Sequence, residues 1–161
     1  MLSLPKKRDR GITLLEVLLS LVITGIIVNM VLSLYLDQYR LITEVRQKAE
    51  LRFAVFKADQ VLTSAITKAE KVSWVNGDTL LTRYLQGEYL ITDYYYLDDK
   101  DGDGKQDLYR RHLGVSNPIV TGLTEMNLLE VMEGLWQIDL KASFGSQESE
   151  SIKKVRQRIC Q

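Results

Sequence analysis

The sequence is poor in the residues that most often carry chemistry. It holds one cysteine and one histidine in 161 residues. With Cys160 alone no intrachain disulfide can form, which excludes a small disulfide-stapled scaffold. His112 stands beside Arg111 with no cysteine or serine-rich motif near it, so it reads as a structural residue of a strand. G-x-S-x-G, P-loop, C-x-x-C and G-x-G-x-x-G signatures are all missing, which argues against catalysis. Net charge is missing too, at 21 basic against 21 acidic residues. Gly and Pro are absent between Ile26 and Asn76, so no strong helix breaker interrupts that interval.

The zero net charge hides an asymmetry. Lys6, Lys7, Arg8 and Arg10 crowd the start of the chain, opposed only by Asp9. Beyond residue 11 there remain 17 basic against 20 acidic side chains, a mildly acidic balance without a nucleic-acid footprint. Directly after the basic leader, Ile12–Leu36 contains no Asp, Lys or Arg, and Glu16 is its single ionised group. At 1.5 Å per residue this run spans about 37 Å as a helix, enough to cross a hydrocarbon core of about 30 Å. Basic residues before the run and Asp37 after it favour a cytoplasmic N-terminus. The stretch is too long for a cleaved secretory signal, and no A-x-A site follows it.

Helical spacing continues past the apolar run. Leu41, Val45, Ala49, Phe53 and Phe56 form one stripe; Leu51, Val55, Ala58, Leu62, Ile66 and Ala69 form another. The expected helix therefore divides into a transmembrane part, 12–36, and an amphipathic continuation, 37–70. The texture then changes. Val72–Val75 is β-prone, Asn76-Gly77-Asp78 is a hairpin signal, and Thr79–Gln86 and Glu88–Leu97 follow as strands. Asp107–Leu113 extends after an acidic loop. Glu125–Met132 and Leu135–Phe144 suggest a last hairpin around Glu133-Gly134, its second strand alternating as a half-buried edge. Gly145–Ser151 reads as a polar linker, and Ile152–Ile159 as either a strand or a short helix. The fold class is α+β: a long N-terminal helix packed on an antiparallel β-sheet domain over 71–145, with a polar linker and C-terminal segment over 146–161.

The opening motif is Arg10-Gly11-Ile12-Thr13-Leu14-Leu15-Glu16, followed by an uninterrupted apolar helix. It resembles the N-terminus of type IV prepilins and of the pseudopilins of type II secretion and competence systems. That resemblance implies a prepilin peptidase that cuts after Gly11, removing a leader of residues 1–11, and methylates the new amine at Ile12. It also implies an inner-membrane assembly platform and neighbouring pilin subunits as partners. Family members often start the mature chain with Phe, where this chain has Ile12. The residues suit these roles. Gly11, without a side chain, lets an extended scissile segment enter a narrow site. Glu16 lies four residues from the new amine. A charge at the centre of a membrane helix costs about 2.5–3.5 kcal/mol, less near its start, where the helix dipole offsets part. An axial offset between bundled helices would let Glu16 meet a neighbour's amine and neutralise both. Small and polar residues in the span (Ser20, Thr24, Gly25, Asn29, Ser33) suit close helix contact.

Beyond the helix, "ITDYYYLDD" and "DLYRRHLG", then "VTGLTEMNLLEV" and "WQIDLKASF", are similar in texture to PilW-like minor pilins and J-type minor pseudopilins. The implied function is that of a minor pilin or pseudopilin, anchored in the cytoplasmic membrane with its C-terminal domain outside before assembly. A competing reading is a permanently membrane-anchored extracytoplasmic domain that responds to calcium or another ligand. It draws on the acidic loop, 98–107. There Asp99, Asp101, Asp103 and Asp107 fall at positions 1, 3, 5 and 9 of an EF-hand-like pattern, and Lys105 offers its carbonyl. Arg110 replaces the closing Glu, no helices flank the loop, and Asp and Gly are also what a solvated turn requires. Calcium is therefore an alternative to an ordinary hairpin loop.

Overall fold

The computed structural model describes residues 13–102, 104–145 and 147–157. Gly11, Ile12, Asp103 and Cys160 lie outside the described residues. The chain divides into two compact units, Met1–Glu44 and Val45–Gln161. One helix, α1 (Leu14–Lys68), contributes to both.

Within the first unit, every described residue is exposed. The most apolar 18-residue window of α1 has a mean hydropathy of 2.5 and is 0% buried, so length and composition allow it to cross a membrane. A helix whose surface is apolar and uncovered needs a non-aqueous surrounding. Two of its hydroxyls are satisfied within the helix. Ser20 Oγ donates to the Val17 carbonyl at 2.8 Å and Thr24 Oγ1 to the Ser20 carbonyl at 2.7 Å. These bonds leave neither donor unpaired in lipid.

The second unit combines the rest of α1 with eight strands in two antiparallel sheets. β1 (Lys71–Val75), β2 (Thr79–Gln86), β3 (Tyr89–Asp98), β4 (Gln106–His112) and β5 (Val115–Leu123) form the first sheet in that order. β6 (Glu125–Met132), β7 (Leu135–Phe144) and β8 (Gln147–Arg156) form the second. Within each sheet consecutive strands pair antiparallel, β3 and β4 being joined by the acidic loop, and Thr124 links β5 to β6 between the sheets. At the turn between β1 and β2, Asn76 and Gly77 both take the left-handed backbone (φ 56° and 78°), the conformation that Asn-Gly accepts at least cost.

Only one of the two helical stripes enters the core. Leu51, Val55, Ala58, Leu62, Ile66 and Ala69 are buried, together with Ala54. They join Leu80, Leu108, Val120, Leu123, Ile138 and Leu140 from the strands in one cluster. Each fully buried Leu or Ile contributes about 1.5–3 kcal/mol of transfer free energy. Phe53 and Phe56, by contrast, are exposed. Polar ties supplement the packing. Lys153 Nζ on β8 reaches Asp59 Oδ2 on α1 at 2.8 Å. Gln157 Nε2 donates to the Glu70 carbonyl at 2.6 Å, satisfying backbone just beyond the end of the helix.

Several sequence expectations are corrected here. The expected single sheet is two. β7 is a central strand flanked by β6 and β8, so Trp136, Ile138, Leu140 and Ala142 are buried and Leu135–Phe144 is no edge. The polar segment Gly145–Ser151 is no linker over most of its length: β8 begins at Gln147 and pairs with β7 from Phe144↔Gln147 to Leu135↔Arg156. Its mixed charges suit an exposed edge strand. β5 was not expected at all. Leu113 at φ 48° and Gly114 at φ 84° make its turn, and a Leu there is unfavourable enough to hide the signal. Pro118 sits within β5, where the loss of a donor is tolerated at a sheet edge and next to the register shift at Leu108/Tyr109.

Candidate functional site

The helix start is built by Thr13. Its Oγ1 accepts the Glu16 amide at 3.4 Å, and its carbonyl accepts the Glu16 and Val17 amides at 3.0 and 3.3 Å. Thr13-x-x-Glu16 is a capping-box spacing, which places Glu16 in the first turn with its carboxylate near the positive end of the dipole. The dipole offset at Glu16 is legible in the sequence; the Thr13 cap on its amide adds a second local contribution. The cleavage pair Gly11 and Ile12 lies outside the described residues.

The acidic loop joins β3 to β4. Both oxygens of Asp99 accept backbone amides, Oδ1 from Gly102 at 2.9 Å and Oδ2 from Gly104 at 3.0 Å. Asp101 is exposed, whereas Asp107 is 4% exposed on β4, between Asp98 of β3 and Thr121 of β5 in the same sheet. Among the described residues no group of three or more His, Cys, Asp or Glu side chains converges as a metal site. The described carboxylates therefore do not by themselves form a calcium cage. Arg110, at the position of the missing closing ligand, points its charge elsewhere and meets Asp93.

Residues 6–31 match the family model of the prokaryotic N-terminal methylation motif. The motif marks a type IV pilin-like precursor. It implies processing by a prepilin peptidase and assembly with other pilin subunits, and it points to a structural subunit rather than an enzyme. The bare apolar helix fits a membrane-anchored pilin. No curated protein and no solved structure matches the chain.

The second unit carries a buried polar cluster that sequence reading missed. Asp93, 1% exposed, sits mid-strand on β3 between Thr82 of β2 and His112 of β4. Its Oδ2 accepts Arg110 Nε at 2.9 Å, Arg110 Nη2 at 2.7 Å and the Tyr84 hydroxyl at 3.3 Å. His112 Nδ1 lies 2.6 Å from Oδ1. Burial raises the pKa of Tyr84, and the Asp93 carboxylate adds to it. Burial likewise pushes Tyr95 up to about 12. Burial opposes the charge of Arg110, but Tyr95 and Asp93 more than offset it, and its pKa rises. A sequence signal did exist: Ile91, Asp93, Tyr95 and Leu97 share one face of a strand, and a lone carboxylate among them must find a cation.

On the opposite face of the sheet, Tyr96 and Tyr109 stack at 5.9 Å, and Lys100 Nζ lies 4.4 Å from the Tyr109 centroid. Arg111 covers Tyr94 at 4.3 Å. The tyrosine run is thus occupied by its own cations, in keeping with a structural part in the sheet.

Proposed function

We propose that the chain is a minor pilin or pseudopilin, a structural subunit of a type IV pilus, a type II secretion pseudopilus or a competence pseudopilus. The observation that carries the reading is the methylation motif at residues 6–31, which runs from the basic leader into an uncovered apolar helix. In this reading the peptidase cuts between Gly11 and Ile12 on the cytoplasmic side and methylates Ile12. The C-terminal domain stands outside the cytoplasmic membrane, and the assembly platform moves the helix from lipid into a filament. Glu16 pairs with the N-terminal amine of a neighbour, which exchanges two costly isolated charges for one compact pair.

Intact-mass analysis after co-expression with a prepilin peptidase tests the reading. The expected product lacks residues 1–11 and carries one added methyl group, and Gly11→Leu prevents both changes. A chain that stays uncut, or that is cut equally well in Gly11→Leu, refutes it.

The proposal includes a subordinate one for the loop, a Ca²⁺ ion held by Asp99, Asp101, Asp103, Asp107 and the Lys105 carbonyl. It is supported by spacing alone and depends on Asp103, which lies outside the described residues. Calorimetric titration of the full chain with Ca²⁺ tests it. Binding that disappears in Asp101→Ala/Asp103→Ala supports the ion, and equal heats in both proteins exclude it.

A further inference from the structure

We infer that the second unit receives an acidic peptide segment of a partner protein in a cationic pocket between α1 and the first sheet. The pocket has a volume of about 490 Å³. Lys57 and Lys68 line it from the helix, and Arg110, Tyr84 and Thr82 line it from the sheet. Three cations thus share a pocket with one carboxylate, Asp93.

The charge of that carboxylate is already spent. Asp93 accepts two bonds from Arg110 and one from Tyr84, with His112 against its other oxygen. The cluster fixes the Arg110 guanidinium in place and leaves its Nη1 outside the pair with Asp93. Lys57 and Lys68 make no ion pair among the described residues, although Lys57 is half-buried. Two lysines without a counter-ion beside a pocket whose own carboxylate is already paired are groups that an anionic ligand completes.

The spacing selects the kind of anion. Lys57 and Lys68 lie on one face of α1 three turns apart, about 16 Å along the axis at 1.5 Å per residue. No single phosphate can meet both. An extended chain rising about 3.3 Å per residue spans that distance in five residues, so carboxylates near its two ends reach both lysines. Val61 and Ala65 lie between the cations on the helix and Tyr95 opposite on the sheet. This apolar wall suits the carbon atoms of a peptide and gives nothing to a bare inorganic ion. Exposed charge pairs of this kind steer association and set register, and salt weakens them. The inference does not depend on cleavage at Gly11.

Fluorescein-labelled hexaglutamate, titrated against the full chain in detergent micelles and read by anisotropy, tests the inference. Saturable binding is expected, weakening as salt is added. Lys57→Gln/Lys68→Gln should bind at least tenfold more weakly with an unchanged melting temperature. Arg111→Gln, which removes a cation outside the pocket, should bind as the wild type does. Equal binding by the lysine variant, equal loss in Arg111→Gln, or equal binding of hexaglutamine overturns the inference. Inorganic phosphate, or phosphatidylglycerol added as mixed micelles, that displaces the peptide at equal anion concentration also overturns it, in favour of a free oxyanion or a lipid headgroup surface respectively.

Discussion

Arg110 clamps Asp93 through two nitrogens on one oxygen, Nε at 2.9 Å and Nη2 at 2.7 Å, on neighbouring strands of the first sheet. The carboxylate is 1% exposed while the guanidinium side chain is 41% exposed, so the pair is unequal. Asp93 depends on its protein partners for polar contacts, whereas Arg110 retains partial access to water. Removing one partner of a buried pair costs about 3–5 kcal/mol. Arg110→Gln should therefore approach the lower end of that range in denaturant unfolding. Asp93→Asn should cost less, because the amide oxygen still accepts a bond and Arg110 can turn to solvent. The reverse order would mean that the exposed end of the pair controls its energy.

Tyr95 sets an alkaline limit on stability. Its folded pKa is raised to about 12 from an ordinary 10.0, first by burial. The sign follows from which form the fold prefers. The neutral phenol is favoured in the folded state, so the stabilisation is complete below pH 10 and is lost as pH rises through about 12. A shift of this size corresponds to about 2–3 kcal/mol. Tyr95→Phe should remove most of the pH dependence between those limits in denaturant unfolding, whatever it does to stability at neutral pH. An unchanged pH profile would assign the alkaline loss to other groups.

The two helical stripes should separate in mutagenesis. Leu62 is 0% exposed and Phe56 is 64% exposed on the same helix. Leu62→Ala should destabilise the second unit by about 2–5 kcal/mol through lost burial and a cavity. Phe56→Ala should stay within about 0.5 kcal/mol, as surface changes do. Calorimetric melting of both variants checks the contrast. A large loss for Phe56→Ala in the isolated protein would show that its ring is covered in solution.

Glu16 has two roles to tell apart, a local one at the helix start and a proposed one in assembly. Glu16→Gln keeps a capping-box side chain and deletes the charge. Insertion and cleavage should be unchanged, while crosslinking to partner pilins at equal membrane abundance should fall. Wild-type crosslinking in Glu16→Gln would reduce Glu16 to a cap.

The local signals in the sequence were sufficient for local structure. The basic leader, Gly11 and the unbroken apolar run identified the methylation motif, because peptidase recognition and membrane partition act on contiguous residues. Asn76-Gly77 and Glu133-Gly134 marked their hairpins, because Asn76, Gly77 and Gly134 take the left-handed backbone that Asn and Gly accept at least cost. β5 and the first half of β8 were not legible: Leu113 takes a positive φ that local preference disfavours, and the charged stretch after Gly145 becomes a strand through pairing with β7, which also decides for strand from Ile152 on. Both helical stripes were visible, but periodicity cannot say which one a sheet covers. That choice belongs to packing: Leu62 and Ile66 join Leu80 and Leu108 in the core, while Phe53 and Phe56 stay exposed. The Asp93 cluster and the cationic pocket beside it were likewise decided by tertiary structure. Strand register set Thr82, Asp93 and His112 side by side, and only burial turned an ordinary carboxylate into one that must hold Arg110 in place.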